Sequence, residues 1–288
     1  MENNIKYSIL IPAYNAEKHI SRSLNSVLNQ ITQYNYEIII CDDGSIDNTI
    51  NIINEIKNDK VKLIKNDSNQ GGIITRKKLI LEAKGDYIIW LDADDEYEFN
   101  TLSFLDNYVE NNKYDIIDFS FDVIFPDNNR MNNIKNNKII KKDNLLDCFF
   151  NNYGKWYLWS KAIKKDTMLK SLPPDCKYIL DDVFFTMILY YNSKEYIAIN
   201  TAPLYHYYNN IGYWMGTYHN SINCDKFIKH CEMRSAEFKY NYSFLKEKGL
   251  EKKYAYKLLE SCDLFSLFNE LIKIESQEER FKALNILM

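Results

Sequence analysis

The apolar run Tyr87-Ile88-Ile89-Trp90-Leu91 ends abruptly in Asp92, Asp94, Asp95 and Glu96, four acids within five residues. A run of this length predicts a strand buried on both faces inside a parallel sheet. Side chains alternate along an extended backbone, so Asp92 and Asp94 are expected on one side and Asp95 on the other. Two carboxylates so placed repel unless a cation offsets them. Mg²⁺ or Mn²⁺ bridging a phosphorylated ligand suits the pair, because these hard ions often take only one or two carboxylates beside substrate phosphate. The carboxyl end of a buried strand is also where open α/β sheets hold their ligands. The bland counterpart is an acidic loop capping the next helix, and an isolated D-x-D pattern does not separate the two.

The elements that must position these acids lie upstream. Residues 6–11 form an apolar strand that ends in Pro12-Ala13-Tyr14-Asn15, and Ile20, Leu24, Val27, Leu28 and Ile31 mark a helix over 16–30. A second strand, 37–41, ends in Asp42-Asp43-Gly44-Ser45; Asp47 is the candidate N-cap of a helix carrying Ile50, Ile53 and Ile56. A third strand, 61–64, leads through Asn69-Gln70-Gly71-Gly72 into a helix that Gly85 is expected to end as a C′ glycine. Strand and helix thus alternate with short connections, which predicts an α/β protein with a mostly parallel sheet covered on both faces. The polar loops at the strand ends converge on one edge of that sheet.

Beyond the acidic cluster the pattern predicts a helix over 99–112, a strand over 116–125 and a polar, Asn-rich surface loop over 126–138. A helix over 143–150 and a strand over 156–161 follow, with an irregular turn at Pro173-Pro174. An apolar helix opens at Asp181-Asp182 and ends near Asn192; two short strands, 196–200 and 203–208, precede a helical pattern from 222 to the end.

Bulk properties exclude several classes. Apolar residues make up 46% and charged residues 26% of 288, as in a folded chain of one large domain, or one domain with an appendage. A net charge of −4 gives no general attraction for nucleic acid or anionic lipid. Six cysteines, at 41, 148, 176, 224, 231 and 262, form no C-x-x-C pair and read as reduced thiols of a cytoplasmic protein. No signal-peptide layout and no apolar run near the ~20 residues that span a bilayer is found.

Taken in order, Ser8-Ile9-Leu10-Ile11-Pro12-Ala13-Tyr14-Asn15, Cys41-Asp42-Asp43-Gly44-Ser45, Asn69-Gln70-Gly71-Gly72 with Arg76, and Leu91-Asp92-Ala93-Asp94-Asp95 resemble family 2 glycosyltransferases of the GT-A fold. The match is close over roughly the first hundred residues and looser to about 210. Each motif alone is weak; four in order at strand ends are specific. The resemblance implies a Rossmann-like, mostly parallel mixed sheet flanked by helices, with a C-terminal helical appendage. It implies that Pro12, Ala13, Tyr14 and Asn15 shape a nucleobase pocket, with Tyr14 against uracil, or that Tyr14 is simply structural. Asp43 would accept from the uracil imide, Arg76 would contact phosphate or be a plain surface arginine, Asp92 would contact the ribose or the water shell of a metal, and Ala93 would lie along the nucleotide. Asp94 would ligate a divalent ion, Mn²⁺ or Mg²⁺. The family's acidic pair opening a later helix corresponds to Asp181-Asp182, Asp standing for the usual Glu; Asp182 would be the base and Asp181 its support, although either order remains open. Charge pairing with the helix dipole is the plain alternative for both. Trp159 and His206 would reach acceptor or phosphate, against buried structural roles.

The expected protein is an inverting, metal-dependent glycosyltransferase that moves a sugar from a UDP-sugar to a glycan or lipid-linked saccharide in bacterial surface polysaccharide or lipooligosaccharide assembly. Residues 1–215 would form the GT-A domain, nucleotide half 1–98 and acceptor half 99–215, and 216–288 the helical region. Those last helices leave open a membrane surface at the inner face of the cell membrane, a second copy of the chain, or a cover over the acceptor site, with packing on the core as the default. The rivals are a sugar-nucleotide-binding protein without turnover and a D-x-D phosphatase. In the latter the motif comes first in the domain and has Thr or Val where Glu96 stands. A nucleotidyltransferase would show a Gly-rich, basic first loop.

Overall fold

A computed structural model describes residues 4–151, 157–172, 181–209, 224–261 and 285–286, without the side chains of 181–184, 224–227, 229–230 and 261. The first half is built as the alternation requires: β1 (Ile5–Ala13), α1 (Ile20–Leu28), β2 (Asn35–Asp42), α2 (Thr49–Glu55), β3 (Val61–Lys65), α3 (Gly72–Glu82) and β4 (Tyr87–Trp90). Tyr7, Ile9, Leu10 and Ile11 of β1 and all of β4 are buried, because helices cover both faces of the sheet. In α1 the buried Ile20, Leu24 and Val27 form one inward stripe.

The acidic turn then leads into β5 (Glu96–Tyr97), α4 (Thr101–Val109), β6 (Ile116–Asp118), β7 (Phe121–Ile124), β8 (Arg130–Asn133), β9 (Lys138–Lys141) and α5 (Leu145–Phe150). After these come β10 (Lys161–Lys164), α6 (Lys165–Leu169), α7 (Asp181–Asn192), β11 (Glu195–Ala198), β12 (Tyr205–Tyr208), α8 (Cys224–Glu247) and α9 (Glu251–Ser261). The main sheet runs β3-β2-β1-β4-β10-β6-β11-β9, and a smaller one runs β5-β12-β7-β8. Strands β3, β2, β1 and β4 are parallel, whereas β10 is antiparallel to both its neighbours. This is the mixed α/β sheet expected.

Several expected elements differ. The run 116–125 is two strands in two sheets, because the Phe119 N–H donates to Ser160 and the Ser120 carbonyl accepts from Leu204, which turns the chain out of the first sheet. The polar stretch 126–138 is no simple loop: β8 lies in it and edges the small sheet, and β9, beginning at 138, edges the large one. Lysine and asparagine suit strands with one open edge. The strand expected at 156–161 begins only at Lys161 and continues to Lys164. Helix α6 carried no sequence signal.

Gly85 is not a left-handed helix stop. Helix α3 ends at Ala83 in extended backbone, and a Cβ on Gly85 would lie 2.6 Å from the Ser8 nitrogen. The glycine is needed so that β1 can pass close by, its N–H donating to Ser8 Oγ at 2.8 Å. Asp47 lies one residue before the cap position of α2, held by Asn48, and its carboxylate accepts from the Thr49 and Glu17 N–H groups.

Helices α8 and α9 pack on the second half. Lys253 Nζ and Tyr254 OH both reach Asp147 of α5, at 2.9 and 3.0 Å, and Tyr254 stacks on Phe150. Leu245, Tyr254 and Leu258 join the same buried apolar cluster as the sheet. Among the described residues no helix is long and apolar enough to cross a membrane.

Candidate functional site

Strands β1 and β2 end abreast, Ala13 opposite Asp42, and β4 runs parallel on the other side of β1 with Trp90 opposite Leu10. Helix α1 returns the chain to β2, while α3 carries it across to β4. The crevice between β1 and β4 is therefore the topological switch point, and the loops after β1, β2 and β4 share it.

In the first loop Tyr14 is 43% exposed, its ring open to a ligand, above the partly and fully buried Pro12 and Ala13. Asn15 adopts φ 49°, a left-handed conformation that asparagine tolerates. Its N–H donates to Ser45 Oγ and its Oδ1 accepts from the Ile46 N–H, so it fastens the first loop to the second. Asp42 steadies the turn through the Ser45 N–H at 3.0 Å; its other oxygen, Oδ1, is buried without a partner. Gly44 has φ +74°, and a Cβ there would meet the backbone of Ser68 and Asn69 at 2.7–2.8 Å.

Asp43 is the hub of this half. Its Oδ1 accepts from Asn66 Nδ2 at 2.7 Å and the Gln70 N–H at 2.8 Å, and its Oδ2 from the Gly71 N–H at 2.9 Å. A carboxylate has about four acceptor positions, so one on Oδ2 remains. The Asp42-Asp43-Gly44-Ser45 and Asn69-Gln70-Gly71-Gly72 motifs are thus two sides of one clamp, a link that spacing does not reveal.

Arg76 reaches across from α3, its guanidinium 4.9 Å over the Trp90 ring and Nη2 donating to Asp92 Oδ1 at 3.0 Å. After Trp90 the chain does not stay extended: the Asp95 N–H donates to the Asp92 carbonyl and closes a turn. Asp92 faces Arg76, whereas Asp95 is fully buried, accepting from Tyr205 OH at 2.6 Å and the Tyr208 N–H at 2.8 Å. Ala93 is buried between them. Burial, and then the charge of Asp92, pushes the Asp94 carboxyl up to about 6. Burial and the charges of Asp94 and Asp92 hold Asp95 well above the ordinary carboxylate range. Arg76 offsets Asp92 and Arg22 lies against Glu96, so of the four acids Asp94 and Asp95 are the ones left without an ion pair of their own among the described residues. Among the described residues no three His, Cys, Asp or Glu side chains gather to enclose a metal. Asp94 and Asp92 together offer hard oxygen donors of the kind a partly ligand-coordinated divalent ion takes.

Trp159 is 5% exposed and enclosed by Phe121, Tyr157, Tyr205 and Tyr207, at ring separations of 4.5–5.4 Å. His206 is held at both nitrogens, Nδ1 by Asp122 at 2.5 Å and Nε2 by Glu98 at 2.9 Å. Burial works against the charged ring, but hydrogen bonds and charge from Asp122 and Glu98 outweigh it and raise the pKa. The stability this staple gives is therefore complete below the unfolded histidine value of ~6.5 and lost as pH rises through the raised one. Accordingly, His206→Asn should lower the melting temperature more at pH 6 than at pH 9; equal losses would show that folding leaves the pKa of the ring unshifted.

Asp181 and Asp182 are the first two residues of α7, and their side chains lie outside the described residues. Pro173-Pro174 lies outside them too. The residues missed by sequence reading are Arg22 and Ser23 of α1, which hold the carbonyls of the acidic turn, and Tyr205 and Tyr208, which hold Asp95.

The sequence profile of glycosyl transferase family 2 matches residues 8–168, more than half the chain. The chain belongs to that family. It is 42% identical over 106 residues to the Escherichia coli UDP-Glc:alpha-D-GlcNAc-diphosphoundecaprenol beta-1,3-glucosyltransferase WfaP, a match covering 37% of this chain and 42% of that protein. It is 27% identical over 236 residues to the cholesterol galactosyltransferase of Borreliella burgdorferi, covering 76% of this chain and 63% of that one. Its matches to the first relatives span only 36–42% of their length. The structure of Staphylococcus aureus TarS residues 1–349 with UDP-GlcNAc superposes with a TM-score of 0.74 at 20% identity, over 98% of this chain and 80% of that one. That likeness shows a shared fold.

Proposed function

We propose that this protein transfers a sugar from a UDP-sugar to a hydroxyl of a glycan or lipid-linked saccharide, with inversion and with the help of a divalent metal. The observation that carries the reading is the acidic turn at the switch point, whose surplus charge and raised Asp94 pKa ask for a cation. Tyr14 stacks on the base, and the free acceptor position on Asp43 Oδ2 takes the uracil imide proton. Arg76, already paired with Asp92, lies where it can turn its charge to phosphate. Mn²⁺ or Mg²⁺ would be held by Asp94, with Asp92 in its water shell, and when bound supplies Lewis-acid stabilisation of the leaving diphosphate.

Asp182 accepts the proton of the acceptor hydroxyl as that oxygen attacks the anomeric carbon. The bond to the diphosphate breaks on the opposite face and UDP leaves, so a single displacement inverts the centre. Asp181 supports the base. On the acceptor side Trp159 braces Tyr157 and Tyr207, which are only partly buried. Residues 1–215 form the catalytic unit and 216–288 a helical brace on it. A UDP-sugar donor places the reaction in the cytoplasm, and a lipid-linked acceptor would bring it to the inner membrane face.

Calorimetric titration with UDP, GDP, CMP and ADP, with and without Mn²⁺, tests the donor half. UDP alone should bind, about tenfold more tightly with metal, the worth of one charge-assisted contact. Base-indifferent or metal-independent binding would remove the roles given to Asp43 and Asp94.

A further inference from the structure

The acidic turn is gripped from α1 by a side chain that no motif marks. Arg22 Nη2 donates to the Asp94 carbonyl, its Nε lies 2.7 Å from Glu96 Oε1, and its guanidinium stacks 3.6 Å from the centre of the Tyr208 ring. Tyr208 OH in turn donates to Glu96 Oε1 at 3.0 Å, and its N–H to the buried Asp95 carboxylate. Next to Arg22, Ser23 Oγ donates to the Asp95 carbonyl at 2.7 Å and approaches that of Asp92 at 3.3 Å. One cation thus ties together the acidic turn, β5 and the end of β12.

The location makes the arrangement costly for the helix alone. Arg22 is the third residue of α1, where the helix dipole disfavours a positive charge. Its contacts offset that cost only because they converge on the turn. The fork of an arginine can donate to a carbonyl, pair with a carboxylate and lie flat on an aromatic ring at once. A lysine ammonium cannot keep all three.

We propose that Arg22 is a positioning residue for the acidic turn: it fixes the backbone of Asp94 from behind, so that the Asp94 and Asp92 carboxylates are held ready for a divalent cation rather than driven apart by their repulsion. The cation part rests on the donor-site reading above; the fixing of the turn does not.

Two readouts separate these parts. Hydrogen exchange of the peptide spanning 92–97 reports the turn, whose Asp95 and Tyr97 amides are bonded to Asp92 O and Ser26 Oγ. In Arg22→Met that peptide should exchange about tenfold faster, the effect of losing one charged hydrogen bond, with peptides of β1 and β2 unchanged. The Mn²⁺-dependent gain in UDP affinity should fall about tenfold, while metal-free UDP affinity stays within about twofold. Arg22→Lys should recover less than half of either effect. Tyr208→Leu, which leaves Arg22 and the backbone N–H on Asp95 in place but removes the ring under Arg22 and the hydroxyl on Glu96, should loosen the same peptide without touching the Asp92 and Asp94 carboxylates. Unchanged exchange at 92–97 in Arg22→Met and Tyr208→Leu overturns the proposal, as does full recovery by lysine. Faster exchange in a protein whose parent shows no metal-dependent UDP binding keeps Arg22 as the clasp of the turn and refutes the donor reading instead.

Discussion

If Asp94 holds the divalent ion as proposed, Asp94→Asn is expected to cost about 10²–10³-fold in turnover, the range seen when one group stabilising a developing negative charge is lost, and at the same time to make the unliganded protein more resistant to heat at neutral pH. The two effects share a cause. Asp94 is partly buried beside Asp92 and titrates at about 6, raised first by burial and then by that neighbour. An unfolded chain releases the same proton near pH ~4. Between those values the folded state holds more protons than the unfolded one, so stability falls as pH rises from about 4 through about 6. Asparagine carries no such charge and escapes the loss. The gain in melting temperature should therefore be present at pH 7.5 and absent at pH 4. Metal-assisted UDP binding by the parent should weaken as pH falls through about 6, because a protonated Asp94 is a poor ligand, and Asp94→Asn should bind UDP equally with or without Mn²⁺. A variant that keeps full turnover would remove Asp94 from the site. One that loses both turnover and stability would make it a structural residue.

The first half of the chain was legible throughout, whereas in the second half α4, α5, α7, β11 and β12 were legible but the crossing between sheets and the edge strands were not. Residues 9–11 of β1, 38–41 of β2 and all of β4 are buried on both faces, so each reads as an apolar run that ends where the composition turns polar. That contrast survives in a single sequence. In 116–125 the buried polar residues Asp118, Ser120 and Asp122 interrupt the apolar ones, yet the chain crosses from one sheet to another at Phe119-Ser120 unmarked, because burial is the same on both sides of the crossing. Strand β8 carries Arg130, Asn132 and Asn133 and looks like a loop because its edge position leaves it largely exposed. The acidic turn was half readable. Alternation placed Asp95 opposite Asp92, and the two do face different partners, Tyr205 and Arg76. A turn closed by backbone bonding brings this about, however, in place of an extended strand. Arg22 left no trace because its main partner is a backbone carbonyl 72 residues away, and carbonyls have no letter in the sequence.

Asp182→Asn should separate chemistry from binding. If Asp182 takes the acceptor proton, the amide leaves the donor site untouched, so UDP affinity and its metal dependence should match the parent while kcat falls about 10²–10⁴-fold, the usual contribution of a positioned base. Asp181→Asn should cost less, since its role is to orient and charge its neighbour. Both acids stand in the first turn of α7, where the helix dipole favours negative charge. Each substitution should therefore lower stability similarly, by about 0.3–1 kcal/mol, and a melting curve cannot tell base from support. Only the split between kcat and donor affinity can. A large kcat loss in Asp181→Asn with a small one in Asp182→Asn would exchange the two roles, within the same mechanism. Turnover kept by both single variants and by the double variant would leave no base at the head of α7. A protein that binds UDP with metal, yet turns over no UDP-sugar even before substitution, would be the sugar-nucleotide-binding protein without chemistry. The acids at 94 and 182 argue against that outcome, because a pure binder would gain nothing from an acid placed to take the acceptor proton and, at the acidic turn, would bear the instability of a carboxyl pushed up to about 6.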